Sequence, residues 1–170
     1  RRVLFRSTIP SCLLTMHNLS VLHLGGNGLT GHIPNVPVSP GLHELVLASN
    51  ELTGTVPNYL WHSNLSIVDL SLNRLQGTIP SNALPAVSLG VDNSSSSIHL
   101  QVNQLSGEIP STWKHLDSIE ILEGNLFSCY YDRSSLPRHD PNYSSYNCGS
   151  DATNFSLITF GCVISLVLVL

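Results

Sequence analysis

Histidine and cysteine are the residues of this chain whose chemistry could build a metal centre or a nucleophile. The histidines are His17, His23, His32, His43, His62, His99, His115 and His139, and the cysteines are Cys12, Cys129, Cys148 and Cys162. A zinc site needs donors that converge from close, paired spacings. No two of these histidines are so placed, and there is no C-x-x-C pair. Structural or solvated histidines are the expected outcome. The chain also lacks a G-x-S-x-G elbow for a nucleophilic serine and a glycine-rich loop opening a helix for phosphate. The sequence therefore predicts no catalytic residue, no metal and no cofactor.

Charge narrows the partners. Seven Lys and Arg stand against eleven Asp and Glu, a formal net charge of −4, which supplies no basic face for a nucleic acid. Hydrophobic residues make up 42% of the chain, too many for a disordered tail. Leu (28 of 170), Ser (25) and Asn (14) dominate, and that bias points to repeats.

The repeat is explicit. Leu19-x-x-Leu22-x-Leu24-x-x-Asn27-x-Leu29-x-Gly31-x-Ile33-Pro34 returns from Leu42 to Pro57 and from Leu65 to Pro80. A further copy keeps Ile98, Leu100, Asn103, Leu105, Gly107, Ile109 and Pro110, and a degraded one reads Leu116, Ile119, Ile121 and Asn125, its Asn one residue late. The prolines at 10, 34, 57, 80 and 110 give spacings of 24, 23, 23 and 30, so the last copy carries an insertion near 89–97. Alternating Leu22/Leu24, Leu45/Leu47, Val68/Leu70 and Ile98/Leu100 have the period of a half-buried strand. No copy is long enough to bury its apolar face alone, so stacking must supply the core. Asn27, Asn50, Asn73, Asn103 and Asn125 fit a ladder of amides that satisfy backbone groups at each bend. Gly31, Gly54, Gly77 and Gly107 are expected at positive φ or close approaches. Trp61 and Trp113, just after prolines, fit core or convex packing.

These motifs resemble the leucine-rich repeat, and the L-x-G-x-I-P ending is similar to the plant-type subclass of receptor-like kinases, receptor-like proteins and cell-wall polygalacturonase inhibitors. The resemblance covers roughly Ile9 to Cys148. It implies an α/β-type repeat solenoid, a right-handed superhelix whose short parallel strands line a concave face. The G-x-I-P segments would form a second set of strands or turns. In such scaffolds ligands meet the outward residues between the buried leucines. Here these are Val21, His23, Gly25, Gly26, Glu44, Val46, Ala48, Ser49, Ile67, Asp69, Ser71, Leu72, Ser97, His99, Gln101 and Val102. The column His23, Val46, Asp69, His99 and Glu120 runs down their middle, with Glu44, Ser71 and Gln101 as flanking binding candidates. His23 and His99 share one strand position three coils apart, roughly 14 Å, too far to hold one metal.

The repeats are expected over 1–126. The polar, aromatic segment 127–149 reads as a cap over the last coil, and its bracketing Cys129 and Cys148 look like the cap disulfide common in this family. Two free thiols are the alternative. Cys12 reads as a small buried residue and Cys162 as unpaired. A linker over 150–154 leads to 155–170, sixteen residues without charge that span about 24 Å as a helix, short of the roughly 30 Å hydrocarbon core. The segment reads as a truncated transmembrane helix, with a lipid-anchor signal tail and a buried apolar end as alternatives. Sequons at Asn18, Asn64, Asn93 and Asn142 are glycosylation candidates, and Asn154 abuts the apolar run.

Together these features predict the membrane-proximal part of an extracellular ectodomain, anchored by one span in the plasma membrane. It would bind a protein, peptide or glycan ligand, with any signal leaving through a co-receptor or through a cytoplasmic part beyond Leu170, where a receptor-like kinase would carry its kinase domain. The alternative is a secreted or lipid-anchored inhibitor or wall protein.

Overall fold

The computed structural model describes residues 7–83, 97–130 and 132–148. The expected linker and apolar run, Asn93, Asn154 and Cys162 lie outside these residues. So does most of the insertion. Among the described residues no helix is long and apolar enough to cross a membrane.

The strands form where each L-x-L pattern alternates. β1 (Val21–His23), β3 (Glu44–Val46), β5 (Ile67–Asp69), β7 (Ser97–His99) and β9 (Ile119–Glu120) make one parallel sheet in that order. β2 (Thr30–His32), β4 (Glu51–Thr55), β6 (Arg74–Thr78), β8 (Gln104–Glu108) and β10 (Leu126–Ser128) make a second parallel sheet, built from the L-x-G-x segments. Each coil thus adds one strand to each sheet, and the chain is a β-solenoid of about four turns. Among the described residues helix is limited to α1 (Ser11–Leu14) and two 3-10 segments, Asn58–His62 and Ser111–His115. The expected repeat solenoid with short parallel strands is what the described residues form.

Two boundaries also shift. Ser97, expected in the insertion, is the first residue of β7. Phe127 and Ser128, expected in the cap, belong to β10 and pair with Gly107 and Glu108. β7 lies between β5 and β9, so Ser97 pairs within the sheet as the outward strand residue it was also expected to be, and the edge strand β10 recruits two residues that local composition assigns to a loop.

Leu45, Leu47, Leu52, Leu70, Leu75, Leu100 and Leu105 fill one continuous core between the sheets. Trp61 and Trp113 are buried beneath the 3-10 segments with ring centroids 5.5 Å apart and planes inclined by 60°. Equivalent residues pair in the first sheet, as in Leu45 with Val68. In the second sheet each strand is offset by two residues, so Thr53 pairs with Arg74 where Gln76 is its repeat equivalent. Gly107 shows what this packing demands. It sits at φ +80°, and a Cβ there would stand 2.8 Å from Thr78 Cγ2 of the preceding coil.

The last coil is closed by the polar segment. Cys129 and Cys148 form a disulfide with Cα atoms 5.5 Å apart. Buried Asp140 accepts the Ile121 N–H at 2.7 Å and the Leu122 N–H at 3.1 Å through Oδ2. Tyr146 donates its hydroxyl toward the Asn125 and Phe127 carbonyls. Burial pushes that phenol up to about 12. Cys12, expected buried, is exposed. In the single turn of α1 it stands two residues from buried Leu14, about 200° around the axis.

Candidate functional site

The outward face of the first sheet is set by strand alternation. Leu22, Leu45, Val68, Ile98 and Ile119 point into the core, so their neighbours point to solvent. Register aligns His23, Val46, Asp69, His99 and Glu120 in one row across the five strands. Four strand spacings make the row about 19 Å long, the reach of about six extended residues.

The structure brings several of the expected residues together. His23 Nε2 lies 3.1 Å from Glu44 Oε2, and His99 Nδ1 lies 3.7 Å from Glu120 Oε2. Gln101 donates its amide to Glu120 Oε2 at 3.2 Å. Ser71 donates to Asp69 Oδ1 from both its backbone N–H, 3.0 Å, and its hydroxyl, 2.6 Å. Ser71 is thereby corrected from an outward ligand contact: only 4% of it is exposed, because its side chain turns back onto the strand end to hold Asp69. Val46 is half-buried between His23 and Asp69.

The ladder asparagines lie beneath the same face. Asn73 Oδ1 accepts the Leu52 N–H at 3.1 Å, while its amide nitrogen reaches the Leu47 and Leu70 carbonyls at 3.0 and 3.1 Å. Asn50, Asn103 and Asn125 repeat this pattern. Asn125, one residue late in sequence, bonds Ile121 four residues back where the others reach three. Asn27, in the first coil, is exposed; its side-chain amide donates to the Gly25 carbonyl and its backbone N–H to Asn50 Oδ1. Asn18 and Asn64 are exposed and Asn142 is half-buried.

One feature carried no signal in residue type alone. The residue before each ladder Asn adopts positive φ in every coil: Gly26, Ser49, Leu72, Val102 and Gly124. Glycine is the natural occupant, and a β-branched or bulky residue there is strained. Leu72 and Val102 nevertheless hold φ of 54° and 56°, and they are 49% and 38% exposed. Their amides bond the Gln101 and Glu123 carbonyls of the next coil, so the two side chains stand side by side at the strand ends. A groove of about 670 Å³ lies elsewhere, along the second sheet, lined by His32, Thr55, Asn58, Trp61 and Thr78 among others. Among the described residues no three His, Cys, Asp or Glu side chains are grouped to hold a metal ion.

A family model described as Leucine Rich Repeat matches residues 18–38. No curated protein matches the chain. Among solved structures it is 32% identical to the ectodomain of the Arabidopsis receptor kinase HAESA, whose structure holds an N-terminally extended IDA peptide hormone. That likeness covers 72% of this chain and 20% of the other, with TM-score 0.57. It is 28% identical to the plant peptide hormone receptor RGFR1 in complex with RGF2, over 72% of this chain and 19% of that one, with TM-score 0.59. A plant ice-binding protein is 26% identical over 83% of this chain and 50% of its own, with TM-score 0.53. The chain thus spans about a fifth of the length of the two receptors. It carries leucine-rich repeats and is similar to plant receptor ectodomains of that kind.

Proposed function

We propose that this leucine-rich-repeat chain is a recognition segment of a cell-surface ectodomain, holding a peptide or protein ligand across the outward face of the first sheet. The observation that carries this reading is that face itself. Apart from Val46 its middle row presents polar side chains that no described residue covers, and the face's carboxylates Asp69, Glu120 and Glu44 are held in place by Ser71, Gln101 and His23. A rigid solenoid that presents oriented side chains loses little freedom on binding. The likeness to HAESA and RGFR1, both solved with peptide hormones, supports a peptide-sized partner. The fold alone does not choose a function, since a plant ice-binding protein shares it.

An extracellular setting is supported by the cap disulfide, which persists in an oxidising compartment. Attachment to the plasma membrane through 155–170, glycans on Asn18, Asn64, Asn93 and Asn142, and a co-receptor belong to the same proposal. Nothing in the face is arranged for catalysis, and its role is binding.

The test displays the full chain on a secreting eukaryotic cell and pans it against a randomised library of linear decapeptides. Capture that falls with His99→Ala or Glu120→Ala, yet survives Thr55→Ala and Arg74→Ala on the second sheet, supports the reading. Capture indifferent to the first-sheet changes, or none, overturns it.

A further inference from the structure

Resting on the recognition role proposed above, we infer that the first-sheet face is selective for an extended segment that pairs a cationic side chain with an apolar neighbour. Charge is the first ground. The strands β1, β3, β5, β7 and β9 and the turns that follow them carry Glu44, Asp69, Glu120 and Glu123 and no Lys or Arg. The described cations all lie elsewhere: Arg74 on β6 of the second sheet, Lys114 in a 3-10 segment, Arg133 and Arg138 in the cap. An array of carboxylates that the described residues leave without a permanent counter-charge is complementary to a basic partner and repels an acidic one.

The carboxylates are also aimed. Asp69 spends Oδ1 on Ser71, and Glu120 spends Oε2 on Gln101 and His99, so in each the second oxygen has no donor among the described residues. Gln101 holds Glu120 at a cost. Its own Oε1 is the one buried side-chain polar atom left without a partner among the described residues. Asp69 and Glu120 stand two strands apart, about 10 Å, matching two side chains of one extended segment laid across the strands.

The apolar half of the match is independent of charge. Leu72 and Val102 form a solvent-exposed pair immediately beyond Asp69 and Gln101. Both occupy left-handed backbone where glycine or serine serves in other coils, so packing within this chain does not call for them. Their place at the rim of the acidic row makes them a ledge for an aliphatic or aromatic side chain flanking the cation.

The experiment uses the same displayed full chain and decapeptide library, now reading the composition of the captured peptides. Lys and Arg should be enriched about threefold, with an apolar residue within two or three positions. Asp69→Asn with Glu120→Gln should weaken capture of those peptides about tenfold, the effect of two partly exposed charge pairs. Leu72→Asn should weaken it about threefold while the melting temperature stays level or rises, because asparagine accepts positive φ. Captured peptides that are neutral or acidic, yet still depend on the first-sheet face, overturn this inference and leave the recognition role standing. Cationic peptides that ignore Leu72→Asn overturn the apolar half. Peptides indifferent to every first-sheet change, or no captured peptides, overturn both.

Discussion

Replacing Asn73 with Ala tests how the ladder distributes its load. Its Oδ1 accepts the buried Leu52 N–H at 3.1 Å. The carbonyls it also serves are shared: Leu47 O is held by Asn50 at 2.8 Å, Leu70 O by Asn103 at 2.9 Å and Ser71 O by the Ser49 N–H at 3.0 Å. Removing Asn73 therefore orphans one buried donor and leaves a small void, a loss of about 2–3 kcal/mol. Asn125→Ala should cost about 1 kcal/mol more, because both the Leu105 N–H and the Ile121 carbonyl then lose the partner this amide provides. Asn27→Ala should cost under about 0.5 kcal/mol, since its side chain is exposed and bonds only the Gly25 carbonyl among the described residues, while its backbone N–H keeps Asn50 Oδ1. Asn50 and Asn73 both bond Leu47 O, so their double substitution should exceed the sum of the singles by about 1 kcal/mol. The assay is urea unfolding of the full chain in non-ionic detergent, followed by circular dichroism and read as midpoint shifts. Equal costs for Asn27 and Asn73, or strict additivity of Asn50 and Asn73, would refute the sharing of carbonyls between neighbouring amides.

Two further outcomes are expected. Burial lifts the Tyr146 phenol from 10 to about 12. The neutral phenol favours the folded state, so this stability is complete below pH 10 and disappears as pH rises to about 12, by at most about 2 kcal/mol. Melting temperatures at pH 9 and pH 11.5 measure the fall, and Tyr146→Phe should flatten it. Reducing the Cys129–Cys148 bond, which closes a loop with sequence separation 19, should lower stability by about 3 kcal/mol on the chain-entropy model. A calorimetric scan with and without reductant reads this loss, and an unchanged cap transition contradicts a structural role for the bond.

Much of the scaffold was legible along the chain because each repeat poses the same local problem. Leucines spaced two apart make a strand face, and a glycine three residues before a proline meets the close approach of the preceding coil, as Gly107 does beneath Thr78. Asn125 shows the limit of counting. It is one residue late in sequence, yet its amide reaches the same kind of carbonyl because the turn absorbs the extra residue. Cys12 and Ser71 were misplaced for a related reason. Each lies where local pattern leaves two orientations open, and neighbouring elements choose between them.

What the sequence by itself determined is the repeating unit, its strand positions and the near absence of cations on one face. These depend on residue type and short spacing, which physics reads locally. Only the tertiary structure decided the two-residue offset of the second sheet, the burial of Asp140 against the turn after β9 and the side-by-side exposure of Leu72 and Val102. Each of these joins residues from different coils, and their separation in space follows from stacking that no single repeat encodes.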